Sequence, residues 1–183
     1  MERSRLEPRL REVLSGAENR LEVCGFGVIA AAARTAALIA LHRPSRVLLI
    51  GIAGSYDTNR LPLGSAATFS EVACYGIGIG EGSQFRSASE LGWQQVPRDE
   101  NSQEVNDRIE LDSMSSEGCL SGGVLVSCCA ASSNFEDAQL RKQRFPDAVA
   151  EDMEGFGVAM ACQLSATPLR VLRGISNQVG NRD

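Results

Sequence analysis

The chain has 183 residues, 43% of them hydrophobic and 22% charged, with 18 Lys and Arg against 23 Asp and Glu for a net charge of −5 at pH 7. That length and balance predict one folded domain over residues 1–183, with no need of disulfide or metal staples, and exclude a disordered or fibrous chain. The acidic balance disfavours nucleic acid or an anionic membrane surface as partner, so a small molecule is the expected one.

The first residues, MERSRLEPRLRE, interleave Arg and Glu without an apolar core, so no secretory signal is expected there. The longest apolar runs, at 26–33 and 47–54, fall short of the roughly 20 residues of a membrane-spanning helix, and a cytoplasmic protein is expected. Val23–Gly27 reads as a short strand, and the Ala-rich Val28–Leu41 as a helix stopped by Pro44. Arg46–Ile52 is apolar without alternation, which predicts a strand covered on both faces. Ala66–Cys74 reads as a further strand, Gly76–Ser83 as a glycine-dense loop, and Gln103–Met114 as a surface helix. Gly122–Cys129 is another buried strand. Ser132–Asn134 then offers N-caps for a helix with acids first and Arg141, Lys142 and Arg144 last, matching the helix dipole. A short strand at Ala148–Ala150, an apolar helix at Met153–Leu164 and a last strand at Leu169–Ile175 complete the order.

This alternation predicts an α/β domain with a mostly parallel or mixed central sheet, in which ligands gather at the carboxyl ends of strands. Gly25–Ile29, Ile52–Ser55, Cys129–Asn134, Glu151–Glu154 and Arg173–Asn177 are therefore the segments in which to seek a site. The six cysteines, at 24, 74, 119, 128, 129 and 162, form no C-x-x-C pair and lie mostly in apolar runs, which predicts buried, reduced thiols and no metal centre. Cys128 and Cys129 read as strand packing, with a reactive thiol as the alternative.

Gly25–Ala30 fits G-x-G-x-x-A, the dinucleotide fingerprint, but Arg46–Ile52 leads into Gly51, Ala53 and Gly54 with no acid to hold a ribose, and no cofactor is expected. His42, the single histidine, sits at a helix end, where dipole complementation is its plain role. Glu151, Asp152 and Glu154 could complement a helix N-terminus. Glu154, however, is the one charge between Met153 and Cys162, so its carboxylate lies near the core and needs donors such as sugar hydroxyls. Arg173 interrupts an apolar strand, which calls for a carboxylate partner or an anionic ligand; Ser176 and Asn177 follow at the strand's end.

With GFGVIAAA, VLLIGIAGSY, EDMEGFGVA and LRGISNQVGNRD, the chain from about Leu21 onward resembles the nucleoside phosphorylase and nucleosidase superfamily, and within it the futalosine hydrolase family. The resemblance implies a three-layer α/β/α fold, no cofactor, a small-molecule nucleoside substrate and homo-oligomers. It implies cleavage of the N-glycosidic bond of futalosine to release hypoxanthine, in menaquinone biosynthesis. Met153 and Glu154 would hold the ribose, Ala53 and Gly54 would line the pocket through their backbone, and Ala131 and Ser132 would form part of the base wall. Arg173 and Ser176 would support Asn177. Related methylthioadenosine nucleosidases have Asp at that position; an amide can instead donate to a 6-oxo group while accepting at the imidazole nitrogen, which suits hypoxanthine. Glu2 matches the family's general base, and Asp183 matches a position in its G-x-R-D ending. The family's first strand and last helix are expected to be missing from this chain. A phosphorylase of the same superfamily and a truncated, non-catalytic nucleoside-binding fragment remain alternatives. The Gly-rich 76–83 segment with Phe85 and Arg86 is the candidate for the ribose 5′ side.

Overall fold

The computed structural model describes Pro8, Leu10 and residues 19–98, 100, 104–112, 118–121 and 123–181. The elements in chain order are α1 (Val28–His42), β1 (Val47–Ser55), β2 (Ala66–Thr68), β3 (Glu71–Tyr75), β4 (Gly78–Ile79), β5 (Arg86–Ser87), β6 (Arg108–Glu110), β7 (Leu120–Ser121), β8 (Val124–Cys128), α2 (Phe135–Arg144), β9 (Ala148–Asp152), α3 (Gly155–Leu164) and β10 (Leu169–Gln178). Strands β4 and β5 form a small hairpin. The others form an eight-stranded sheet in the order β6-β3-β8-β9-β1-β10-β2-β7. The sheet is mixed, as expected: β3, β8 and β9 run parallel to one another, β1 is antiparallel to β9, and β10 is parallel to β1.

Strand β1 lies inside the sheet, and its alternate residues Leu49 and Ala53 pack with Val171 and Ile175 of β10 under Phe156, Val158 and Cys162 of α3. Burial of Phe156 alone is worth about 1.5–3 kcal/mol. α1 closes on α3 at Gly157, where a Cβ would collide with the Val28 carbonyl oxygen and stand 3.0 Å from Ala32 N. The Ala-rich composition of α1 therefore serves close helix packing as well as propensity. On the opposite face, Val124, Val126 and Cys128 of β8 gather with Ala73, Ala148 and Phe145.

Several elements differ from the sequence reading. Residues 19–25 carry no regular structure: the Val23 carbonyl accepts from Arg34 Nε at 2.6 Å, not from a neighbouring strand. The expected strand at 66–74 divides at Phe69–Ser70 into β2, paired with β10, and β3, paired with β8. The expected helix at 103–114 is replaced, over residues 104–112, by a bridge at Val105 and by β6. There Val105, Asp107, Ile109 and Leu111 are all buried, the period of two that defines a strand; the aspartate in the second place conceals it. Finally, β9 runs to Asp152 and α3 begins only at Gly155, so Glu151 and Asp152 are strand residues, and β10 extends to Gln178.

Candidate functional site

The ends of β1, β8, β9 and β10 and the loop before α1 meet, so the five segments singled out from sequence converge. Gly54 is the pivot. It pairs with Glu151 of β9 on one side and with Asn177 of β10 on the other, at a bulge that opens between Ala53 and Gly54. A Cβ on Gly54 would lie 3.1 Å from Asn177 Nδ2 and 3.0 Å from Val179 Cγ2, so glycine makes room for the carboxamide. Asn177 is half-buried; its Oδ1 accepts from Ser176 Oγ at 3.0 Å and its Nδ2 donates to the Gln178 carbonyl at 2.9 Å. The single Ser176 hydroxyl hydrogen is shared with the Ala53 carbonyl, which lies 3.3 Å from Oγ. Each end of the amide is thus fixed by one bond, leaving one N–H and one lone pair of the amide beyond those two bonds.

Glu154 precedes the first residue of α3, but its carboxylate does not cap that helix. Oε1 accepts from the backbone N–H of Gly27, at the N-terminus of α1, at 3.0 Å. Asp152 and Ser127 cap α3 instead: Gly155 N donates to Asp152 Oδ2 at 2.9 Å and Phe156 N to Ser127 Oγ at 2.8 Å. A Cβ on Gly155 would lie 2.8 Å from Asp152 Oδ2, so glycine is required for this cap. Gly27 stands at φ +83, which frees its N–H to meet Glu154 and gives the G-x-G-x-x-A loop a role other than a phosphate cradle.

Arg173 satisfies the demand for a carboxylate. Its Nη2 bonds Asp152 Oδ2 and stands 3.9 Å from Glu154 Oε2, with the arginine and Asp152 side chains 3% and 0% exposed. Its Nε is buried with no protein partner.

A second ionic cluster lies on the other face of β9, and sequence reasoning missed it. Glu151 accepts from Ser132 N at 2.7 Å, Ser132 Oγ at 2.8 Å, Tyr56 OH at 2.9 Å and Arg141 Nη1 at 2.7 Å. Arg141 Nη2 also donates to the Ala130 carbonyl at 2.8 Å. Arg141 is therefore not a solvated complement to the helix dipole: it is buried against the strand. The available signal was its place on α2, four residues beyond Asp137 and facing inward with Ala138. Burial, reinforced by Glu151, pushes the Tyr56 phenol far above its usual range, so it stays a neutral donor.

Of the other residues named from sequence, Met153 and Ala131 are half-buried beside these strands, and Glu2 and Asp183 lie outside the described residues. Phe85 is buried on Tyr75, with ring centroids 4.8 Å apart, whereas Arg86 is exposed and bonds Glu90. A cavity of about 250 Å³ lies elsewhere, between Glu90, Asp107, Arg108 and Arg144. Both of its arginines are paired, Arg108 with Glu71 and Asp147 and Arg144 with Glu90. Among the described residues, no cluster of three or more His, Cys, Asp or Glu could hold a metal ion, and no helix is long and apolar enough to cross a membrane.

A family profile described as the phosphorylase superfamily matches residues 9–183. Futalosine hydrolase of Streptomyces coelicolor is 31% identical over 137 residues, covering 75% of this chain and 55% of its own length. A 5′-methylthioadenosine/S-adenosylhomocysteine nucleosidase of Psychromonas ingrahamii is 26% identical over 181 residues, covering 92% of this chain and 72% of its own. Among solved structures, the nucleosidase of Neisseria meningitidis in complex with methylthio-immucillin-A has a TM-score of 0.74 at 19% identity, covering 96% of this chain and 82% of its own. That of Colwellia psychrerythraea in complex with adenine has 0.68 at 23%, covering 86% and 64%. The chain thus spans a little over half the length of the Streptomyces relative.

Proposed function

Because this chain belongs to the phosphorylase superfamily, we propose that it is a purine nucleoside N-ribosyl hydrolase that cleaves futalosine to release hypoxanthine. The observation that carries the reading is the Asn177 carboxamide, fixed over Gly54 at the end of β10 with one donor and one acceptor position to offer a base. A 6-oxo purine needs both: an N–H toward its keto oxygen, and an acceptor for the proton that develops on the imidazole nitrogen as the base leaves. The 31% identity to a futalosine hydrolase supports the same substrate.

In this reading Met153 and Glu154 hold the ribose, Glu154 through its hydroxyls. As the C1′–N9 bond breaks, its electron pair goes to the base and the sugar becomes oxocarbenium-like. A carboxylate on the ribose hydroxyls binds that cation better than the neutral sugar, which is the differential binding that lowers a barrier. Gly27 N–H and Arg173 orient Glu154 without neutralising it: the ion pair at 3.9 Å is long, while Asp152 takes the close contact. Water adds its oxygen to C1′ and gives up a proton to a general base, the role assigned to Glu2, while the departing base takes a proton from solvent at its imidazole nitrogen. Ala53 and Gly54 line the pocket with backbone, and Ala131 and Ser132 form the base wall.

Incubation with futalosine, with and without inorganic phosphate, tests the proposal. Hypoxanthine at the same rate in both, with free sugar as the co-product, is expected. Phosphate-dependent release with a ribose 1-phosphate product would make the protein a phosphorylase, and no release at all would leave a nucleoside-binding fragment.

A further inference from the structure

We infer that Glu151 and Arg141 are positioning residues that set base selectivity, by holding both donors of Ser132 away from the base so that the wall refuses a purine whose N1 is an acceptor. The inference rests on the proposed placement of the base against Ser132.

Ser132 has two hydrogen-bond donors, its backbone N–H and its hydroxyl, and both point at one carboxylate. The N–H meets Glu151 Oε1 at 2.7 Å and the hydroxyl meets Oε2 at 2.8 Å. The hydroxyl oxygen in turn accepts from Arg141 Nη1 at 2.6 Å, so both donors of Ser132 and one hydroxyl lone pair are held within the cluster. The arrangement is anchored from three segments: Tyr56 after β1, Ala130 after β8 through Arg141 Nη2, and α2 through Arg141 itself. Glu151, Arg141 and Ser132 are 5%, 8% and 1% exposed, so turning Ser132 N–H away from Glu151 would strand a buried carboxylate oxygen.

Purines differ on the edge such a wall would read. In adenine, N1 is an acceptor and needs an N–H; in hypoxanthine, N1 carries a hydrogen and needs an acceptor. A wall with its Ser132 N–H withdrawn leaves adenine N1 desolvated and without a donor, while it spares the N1–H of a lactam the repulsion of a facing N–H. This discrimination is independent of Asn177, which reads the opposite, imidazole side of the 6-substituent. The two devices act by different means: Asn177 attracts the right base, and the Glu151 lock rejects the wrong one.

The test is the ratio of kcat/KM for inosine-type over adenosine-type nucleosides in the wild type and in Glu151→Gln, with folding followed by circular dichroism. Loosening Ser132 N–H should lower the ratio at least tenfold, mainly by improving the adenosine-type substrate; equal losses on both substrates would overturn the inference and leave a structural role. Calorimetry on the wild type gives a second reading that needs no folded variant. 1-Deazaadenine, which has no N1 lone pair to strand, should bind several-fold more tightly than adenine, and equal or weaker binding would mean that N1 is not left unpaired and would overturn the lock. A wild type that prefers adenosine-type substrates would instead overturn the proposed function, and the inference with it. A 6-oxo preference unchanged in Glu151→Gln would overturn the inference alone.

Discussion

Glu151 and Asp152 are consecutive residues of β9 that face opposite sides of the sheet, and each is met by its own buried arginine: Arg141 from α2 for the first, Arg173 from β10 for the second. Strand alternation alone separates them. One ion pair braces the loop after β8, the other caps α3 and stands beside Glu154, so a two-residue stretch ties both walls of the candidate site to the centre of the sheet.

Arg173→Met leaves Asp152 buried and unpaired, as Asp152→Asn leaves the arginine. Each should cost about 3–5 kcal/mol of stability, because the loss of one partner strands a desolvated charge. Arg173→Met combined with Asp152→Asn should cost less than the sum of the two singles. Urea unfolding of the two singles and the double gives the comparison, and strict additivity would contradict the coupling.

Glu154 should behave differently, since it is partly exposed and accepts from the Gly27 backbone N–H at 3.0 Å. In Glu154→Gln the amide oxygen can keep the bond to Gly27 while the charge is lost. Turnover should fall by about two orders of magnitude with little movement of the melting temperature. A large loss of stability at unchanged turnover would assign Glu154 to the fold.

Gly54→Ala probes the pivot. The new methyl would stand 3.1 Å from Asn177 Nδ2 and 3.0 Å from Val179, and the carboxamide must give way. Turnover should drop at least tenfold while the mixed sheet, read by far-ultraviolet circular dichroism, persists; full activity would mean that the position of Asn177 is not critical.

Two of these relationships were legible in the sequence and two were not. Arg173 breaking an apolar strand announced a buried charge, and Gly54, Ser176 and Asn177 announced the ends of β1 and β10, because apolar runs interrupted by polar residues at a strand's end follow from elementary burial. The Glu151 cluster was hidden because three acids before an apolar helix also fit a helix N-terminus, and only the start of α3 at Gly155 shows that two of them belong to β9. Partners 95, 19 and 10 residues away, Tyr56–Glu151, Ser132–Glu151 and Arg141–Glu151, come together through sheet order, which local periodicity does not encode. The strand at 108–110 was hidden by buried Asp107, which bonds Ser89 N at 3.0 Å and breaks the apolar alternation that would have marked it.

Burial pushes the Cys74 and Cys162 thiols up to about 12 and the Cys128 thiol well above its usual range. Their pKa values are raised by folding, so the stability they contribute is complete below the unfolded value near 9 and is lost as pH rises toward about 12. Unfolding free energy should therefore decline across that alkaline window. At pH 7.5 exposed Cys129 should react with iodoacetamide well before these three, as peptide mapping would reveal; early labelling of Cys128 would contradict its burial.

The base released is the central claim, and Asn177 is its lever. The wild type and Asn177→Asp should be given futalosine and methylthioadenosine together, and hypoxanthine and adenine quantified by chromatography. Hypoxanthine from the wild type with little adenine, and a shift of the ratio toward adenine in the variant, are expected; adenine as the wild type's main product, or a ratio that Asn177→Asp does not move, would contradict the assignment of the base.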